Sequence, residues 1–411
     1  MHIAIIGGGA AGMMAAATIA ENNPKAKISL IERNDSLGKK VIISGGGRCN
    51  VTTGIEDIKI VLEKYPRGSK FLNSAMHRFP PALVKNWFEE HGVPLKCEDD
   101  MRVFPVSNQG KDIVKVFEKI LAKSKNQILF KHSVTKIEKK DKQFIIHFKE
   151  QKALSADKVI LTLGGQAYRQ TGSTGDGYTL AESLGHHISN LAPSLSSLVT
   201  KETWPSAVSG LSFVNSQFKA QGEKKYEFSG PFVFTHWGIS GPAVFALSSL
   251  IAFEKFSAEK PLKIYLDLLP DLSLDKVLEK IKNFTLSEPK KIFKYAIHQA
   301  IPLSLASVAL KQLAISEKKK NSEISKAELQ RVSSWLKNLP LTIVNRRAGD
   351  EFVTAGGVSL TEVNPSTMQS KVCPNLYFAG EILDIDGYTG GFNLQAAWAT
   401  GRLAGMASSV K

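Results

Sequence analysis

The chain has 411 residues, 43% of them hydrophobic and 8% aromatic, enough apolar side chain for a sizeable core and for two or three domains. Its formal charge of +15 exceeds what solubility needs and attracts polyanions, so nucleic acid stays open as a partner without any site being defined. Three cysteines, Cys49, Cys97 and Cys373, show no CxxC spacing; they exclude a disulfide framework and a structural zinc site, and they fit a reducing, cytoplasmic compartment.

The first twenty residues, MHIAIIGGGAAGMMAAATIA, contain no Asp, Glu, Lys or Arg. A glycine cluster breaks the apolar run and no basic segment precedes it, so neither a signal peptide nor a membrane span is expected here. His2 to Ile6 reads instead as a strand buried in a parallel sheet. It leads into Gly7-Gly8-Gly9-Ala10-Ala11-Gly12, where Gly7, Gly9 and Gly12 match GxGxxG, and then into an alanine-rich helix. In that arrangement the helix-start amides face a pyrophosphate, which the helix dipole also favours. Lys27 to Arg33 predicts a second strand whose Glu32 is placed to accept hydrogen bonds from ribose hydroxyls.

Residues 44–54, SGGGRCNVTTG, have neither helical nor strand period. Glycines let the backbone approach a flat ring or a phosphate. One thiol without histidine or acid at ligand spacing argues against a metal, and none is expected. Lys39 and Lys40 precede the loop and Arg48 lies in it. Cys49 has two readings: a reactive thiol or proton donor whose pKa a neighbouring arginine and backbone amides would lower, or a small inert packing residue.

Residues 157–165, DKVILTLGG, predict another buried strand. The following GGQAYRQTGSTGDG has the wrong spacing for a second GxGxxG, so a nicotinamide donor would visit only transiently. Within 196–269, alternating runs such as Leu211 to Ala220, Phe232 to Thr235 and Leu262 to Leu269 predict an antiparallel sheet or small barrel. Residues 271–337 read as helical and hold thirteen Lys or Arg against seven Asp or Glu, densest at Lys318-Lys319-Lys320. That stretch is either a solvated helical face or a phosphate-tracking surface. Residues 376–395, LYFAGEILDIDGYTGGFNLQ, return to the nucleotide-binding pattern a third time, which suits a long FAD better than NAD.

The predicted fold is α/β: a Rossmann-like FAD-binding domain of the glutathione-reductase type in 1–190 and 351–411. It is interrupted by a β-barrel-like domain in 191–270 and 338–350, with a helical basic subdomain in 271–337.

With these segments in place, the chain resembles the HI0933-like flavoproteins, bacterial two-dinucleotide-fold NAD(P)/FAD-dependent oxidoreductases. The likeness runs through GGGAAG (7–12), GKKVIISGGGRCNVT (38–52), GSTGDGY (172–178), FTHWGISGPAV (234–244), TAGGVSL (354–360), TMQSK (367–371) and AGEILDIDGYTGGFNLQ (379–395). Thr53 stands where the family usually has asparagine, and Leu163 where it has alanine or threonine. The resemblance implies FAD contacts from Gly7, Gly9, Ala11 and Gly12, from Glu32 and Arg33, and from Lys39. It extends them to Ser44, Gly45, Gly46, Gly47 and Asn50, to Val134, Thr162 and Gly164, to Gly380 and Glu381, and to Gly391, Phe392, Asn393 and Leu394. At the last of these, helix-start amides would meet the flavin ring.

The resemblance also implies roles for Arg48, on the cofactor or an anionic substrate, and for His236, as proton donor to substrate or as a structural histidine. The implied reaction is reduction of an activated C=C bond by hydride from flavin N5, with NAD(P)H as donor. Uridine in ribosomal RNA, giving dihydrouridine, is one expected substrate and the basic insert favours it; a small enone such as a steroid is the alternative. A non-catalytic FAD-containing module for RNA binding or redox sensing is the reading from another class.

Overall fold

The computed structural model describes residues 1–122, 126–347 and 349–410. Two compact units result: Met1–Ser194 together with Glu351–Lys411, and Leu195–Asp350. In chain order, the first unit opens with β1 (His2–Ile6), α1 (Ala10–Asn22), β2 (Lys27–Ile31), β3 (Gln127–Leu129) and β4 (Lys158–Leu161). The second unit contributes β5 (Leu198–Thr200), β6 (Ser212–Gln221), β7 (Lys225–Thr235), β8 (Gly238–Ser240), α2 (Pro242–Leu250) and β9 (Leu262–Asp267). It ends with α3 (Leu274–Ser287), α4 (Lys326–Lys337) and β10 (Leu339–Arg346). The chain then returns to the first unit with β11 (Leu376–Phe378) and α5 (Phe392–Ser409).

In the first unit, five parallel strands run in the order β11-β4-β1-β2-β3. Ile3 to Ile6 of β1 are buried, as expected for a parallel strand covered on both faces. Helices α1 and α5 pack backbone to backbone. A Cβ on Gly401 would stand 2.5 Å from the Ala11 carbonyl oxygen and one on Gly405 2.7 Å from that of Ala15, so only glycine permits this approach. The alanines of α1 are small for the same reason: Ala10 to Ile19 lie entirely inside the core.

In the second unit, β5-β8-β7-β6-β9-β10 close into an antiparallel barrel through pairing of β5 with β10. Inward-facing Phe218, Phe232, Phe234, Ile264 and Leu266 fill it, the alternation that the strand period requires. Val277 and Ile281 of α3, and Val332, Trp335 and Leu336 of α4, belong to the same cluster. The helical stretch 271–337 therefore shares one hydrophobic core with the barrel, because its helices are amphipathic and bury their apolar faces there. Among the described residues no helix is long and apolar enough to cross a membrane.

Candidate cofactor site

The glycine turn after β1 is shaped by close backbone approach. Gly7 has φ 111°, and its Cβ would meet the Thr162 carbonyl oxygen at 2.6 Å; a Cβ on Gly12 would lie 1.9 Å from the Gly7 oxygen. Gly9, by contrast, faces open space and caps α1 without a side-chain bond, and no acid occupies the first turn. The amides there are free to meet an anion. Thr162 fixes the turn by donating to the carbonyls of Ile6 (3.0 Å) and Gly7 (2.8 Å).

Glu32 is 8% exposed at the end of β2. One carboxylate oxygen accepts from the Gly8 amide at 2.8 Å, and the other accepts the backbone and side-chain N–H of Asn34 at 2.8 and 2.7 Å. A carboxylate has about four lone-pair sites, so acceptor capacity remains for a ribose hydroxyl. Arg33 turns instead to Asp176 and Thr174, tying down the GSTGDGY segment. Gly164 is left-handed at φ 73°. Val134 begins a three-stranded meander (Val134–Lys140, Gln143–Phe148, Leu154–Ala156) next to His132, whose amide donates to the Glu32 carbonyl.

The SGGGRCNVTT segment is fastened to α5. Ser44–Gly47 forms a short 3-10 turn in which Gly45, Gly46 and Gly47 have φ 57°, 70° and 88°, and Gly46 and Gly47 face open space. The orientation of the Asn50 amide that satisfies its neighbours lets its oxygen accept from Gly391 N at 2.9 Å while its nitrogen donates to Thr52 O at 3.0 Å. Thr52 donates to Gln395 (2.6 Å), and the Trp398 indole donates to the Val51 carbonyl (2.9 Å). Gly391 has φ 91°, and its Cβ would strike the Thr52 carbonyl oxygen at 2.3 Å. It caps α5 with no side-chain bond and no acid in the first turn. Asn393 clamps both backbone groups of Gly387 at 2.8 and 2.7 Å. Phe392 is buried edge-on against Tyr65, while Leu394 is half-buried.

Arg48 bonds Glu98 at 2.7 Å and lies 3.8 Å over the Phe104 ring. Cys49 is fully buried, and burial pushes its thiol up to about 12 in spite of a hydrogen bond with Ser44. Of the two readings of Cys49, the thiol with a lowered pKa is the one this opposes and the inert packing residue the one it fits: the neighbouring arginine is engaged by Glu98, and desolvation of the thiolate dominates. Lys39 pairs with Asp35 at 3.0 Å. The next residue, Lys40, is the one that reaches across the unit, to Glu381 at 2.8 Å. Sequence reasoning missed this pairing because the two residues lie 341 positions apart. The other Glu381 oxygen accepts from Thr354 N at 3.0 Å, and Gly380, at φ 80°, brings the backbone onto Ala11.

The first unit therefore assembles two uncapped helix starts, an open glycine at each of two loops, and a buried carboxylate with spare acceptor capacity. That donor set fits an adenine dinucleotide. His236 belongs to the second unit, exposed in the turn between β7 and β8. Among the described residues no group of three or more His, Cys, Asp or Glu could hold a metal ion.

The model of the family described as HI0933-like protein Rossmann domain matches residues 1–407. The chain is 31% identical over 412 positions to a 3-dehydro-bile acid delta(4,6)-reductase of Clostridium scindens, covering 100% of this chain and 99% of that protein. It is 26% identical to a ribosomal RNA dihydrouridine synthase of Escherichia coli, covering 96% of this chain and 95% of that one. Among solved structures, a 3-ketosteroid delta1-dehydrogenase from Sterolibacterium denitrificans is similar in fold with a TM-score of 0.51 at 12% identity, covering 99% of each chain.

Proposed function

Since the chain belongs to the HI0933-like family and is an FAD-dependent oxidoreductase, we propose that it reduces a C=C bond conjugated to a carbonyl, in a small enone, with NAD(P)H as the reductant. The observation that carries the flavin part of this reading is the Asn50–Gly391 clamp, which fixes the glycine loop to the uncapped start of α5. FAD, when bound, supplies hydride from N5. The chain's own residues then have three tasks.

The turn at Gly7 to Gly12 and the Glu32 carboxylate would hold the adenosine diphosphate half. The Lys40–Glu381 pair fixes the acid on the strand-to-loop turn after β11. Asn50, Thr52, Gln395 and Trp398 hold the glycine loop and the start of α5 in register, and the amides there would serve the ring system. Arg48 acts here as a positioning residue, anchoring the loop through Glu98 and Phe104. Hydride addition to the β-carbon leaves a proton to be delivered at the α-carbon. His236 is our candidate for that step, because it is exposed in the β7–β8 turn and an imidazole N–H can serve as a general acid. Cys49, buried with a pKa pushed up to about 12, is assigned to packing.

The enone is favoured by the likeness to the bile acid reductase, which extends over the full length of both chains. A second reading, uridine in ribosomal RNA, has the same conjugated C=C chemistry and is favoured by the exposed lysines Lys276, Lys280, Lys282, Lys290, Lys318 and Lys320 of the helical insert. Both are tested together: NAD(P)H should bleach the flavin anaerobically, and a 3-oxo-delta(4,6) steroid should restore its colour and gain two hydrogens by mass. Recovery with ribosomal RNA alone would select the second reading. Recovery with neither would leave the non-catalytic module.

A further inference from the structure

One patch of the second unit collects hydrogen-bond donors that have no acceptor. The turn between β7 and β8 carries Thr235, His236 and Trp237, and both the Thr235 hydroxyl and the Trp237 indole nitrogen are buried without a hydrogen-bond partner. An indole N–H can only donate, so what it lacks is an acceptor. The Arg347 guanidinium lies 3.4 Å over the Trp237 ring. Its Nε is engaged by Asp350 at 3.1 Å, and its backbone N–H donates to Ser197 O at 3.0 Å, which pins the residue to the start of β5. Ser197 in turn shares a hydrogen bond with the Ser240 hydroxyl at 2.9 Å.

The terminal guanidinium nitrogens thus complete a group made almost wholly of donors, carried on the end of β7, the turn after it and the residue that follows β10. The pairing registers explain why the group is fixed. Leu198 faces both Ile239 and Arg346 across the sheet, so β5 sits between β8 and β10 and holds the turn and Arg347 at one place. A buried polar group without a partner costs free energy comparable to a broken hydrogen bond, and a bound ligand is one source of the missing partner.

We propose that Arg347, Trp237 and Thr235 form an oxyanion-binding subsite on the second unit, taking a carboxylate or phosphate group of the substrate. Arg347 supplies the charge, and the rigid indole beneath it holds the planar fork in one orientation. Trp237 and Thr235 add neutral donors for its oxygens, and the Arg347 charge distinguishes an oxyanion from an ester or amide. The subsite deepens the reductase reading and rests on it for the ligand's being the substrate. His236 lies between two of the three donors, so the same turn would bring the proposed proton donor to whatever the subsite anchors.

The test uses the FAD-loaded protein and three probes: cholate, cholate methyl ester and uridine 5′-monophosphate, with affinity measured by titration calorimetry. Trp237→Phe keeps the ring and removes the N–H; Arg347→Gln removes the charge. The parent should bind the acid about tenfold or more tightly than the ester, and each substitution should weaken the acid by about that factor while leaving the ester unchanged. The same dependence with uridine monophosphate in place of cholate would keep the subsite and identify its oxyanion as a phosphate. Equal binding of acid and ester by the parent, or equal weakening of both in the variants, would overturn the proposal. Binding that follows this pattern, in a protein whose reduced flavin is reoxidised by neither the 3-oxo-delta(4,6) steroid nor ribosomal RNA, would remove the reductase reading alone. Thermal midpoint and FAD content of both variants separate misfolding from a weakened hold on the ligand.

Discussion

Cys49 combines a left-handed backbone, φ 61°, with complete burial. Its thiol has neither solvent nor a free cation to stabilise the thiolate, whereas Cys97 is exposed. Alkylation of the native protein at mildly alkaline pH should therefore label Cys97 and spare Cys49, as peptide mass mapping will show. Cys49→Ala should leave both half-reactions nearly unchanged; a proton donor at this position would instead slow substrate reduction by about 10²-fold. Glu32 gives the opposite expectation. Its carboxylate accepts from Gly8 and twice from Asn34, so Glu32→Ala removes the proposed ribose acceptor and also strands the Gly8 amide. FAD should dissociate more readily, and stability should fall by about 1–3 kcal/mol for the unpaired buried donor. Glu32→Gln, which keeps an acceptor oxygen, should lie between parent and alanine variant in FAD release. Glu32 and the glycine turn were legible from sequence because strand, turn and acid follow one another within a few tens of residues. For Cys49 the sequence left a reactive thiol and an inert packing residue both open, and its complete burial fits the second.

At the level of elements, the seam between α1 and α5 joins the first nucleotide-binding turn to the last helix. Gly401→Val should push a side chain against the Ala11 carbonyl, at a cost of about 1–3 kcal/mol or more, read as a lower denaturation midpoint together with loss of FAD. The two phenotypes should appear together, because both helix starts are positioned by this close approach. In the second unit, the start of α4 is closed by a capping box between Ser325 and Glu328. Lys319 binds Glu328 at 2.6 Å, and chiefly this hydrogen bond brings the Glu328 carboxyl down to about 2. A depressed carboxyl contributes stability above its ordinary value near 4.5 and loses it as the pH falls toward about 2. The difference in thermal midpoint between the parent and Lys319→Gln should accordingly shrink across that window. The strands of the barrel were legible through their alternation, and the helices through charge and period. The pairings Lys40–Glu381 and Asn50–Gly391 were not, since no local pattern reports that chain segments so far apart will meet.

For the molecule as a whole, a net charge of +15 guarantees some attraction to RNA at low salt whatever the substrate is. Binding alone therefore does not distinguish a uridine reductase from an enone reductase; the discriminating quantity is whether turnover follows the charges. Lys318 and Lys320 are exposed, whereas Lys319 is committed to Glu328 and Lys337 to Asp267. Substituting all three lysines of the 318–320 run would mix a surface effect with loss of the α4 cap, so the informative variant is Lys318→Gln with Lys320→Gln. Its affinity for duplex RNA should fall, and the logarithmic salt slope should flatten by about 0.9 for each phosphate that is no longer neutralised. FAD content should stay at the parent's level, because the proposed cofactor contacts, backbone amides and Glu32, lie in the first unit. Under the enone reading, kcat/KM for a 3-oxo-delta(4,6) steroid should match the parent at every ionic strength. A parallel fall in flavin reoxidation by ribosomal RNA, steepest at physiological salt, would show that these lysines guide a reacting polyanion and would move the assignment to uridine.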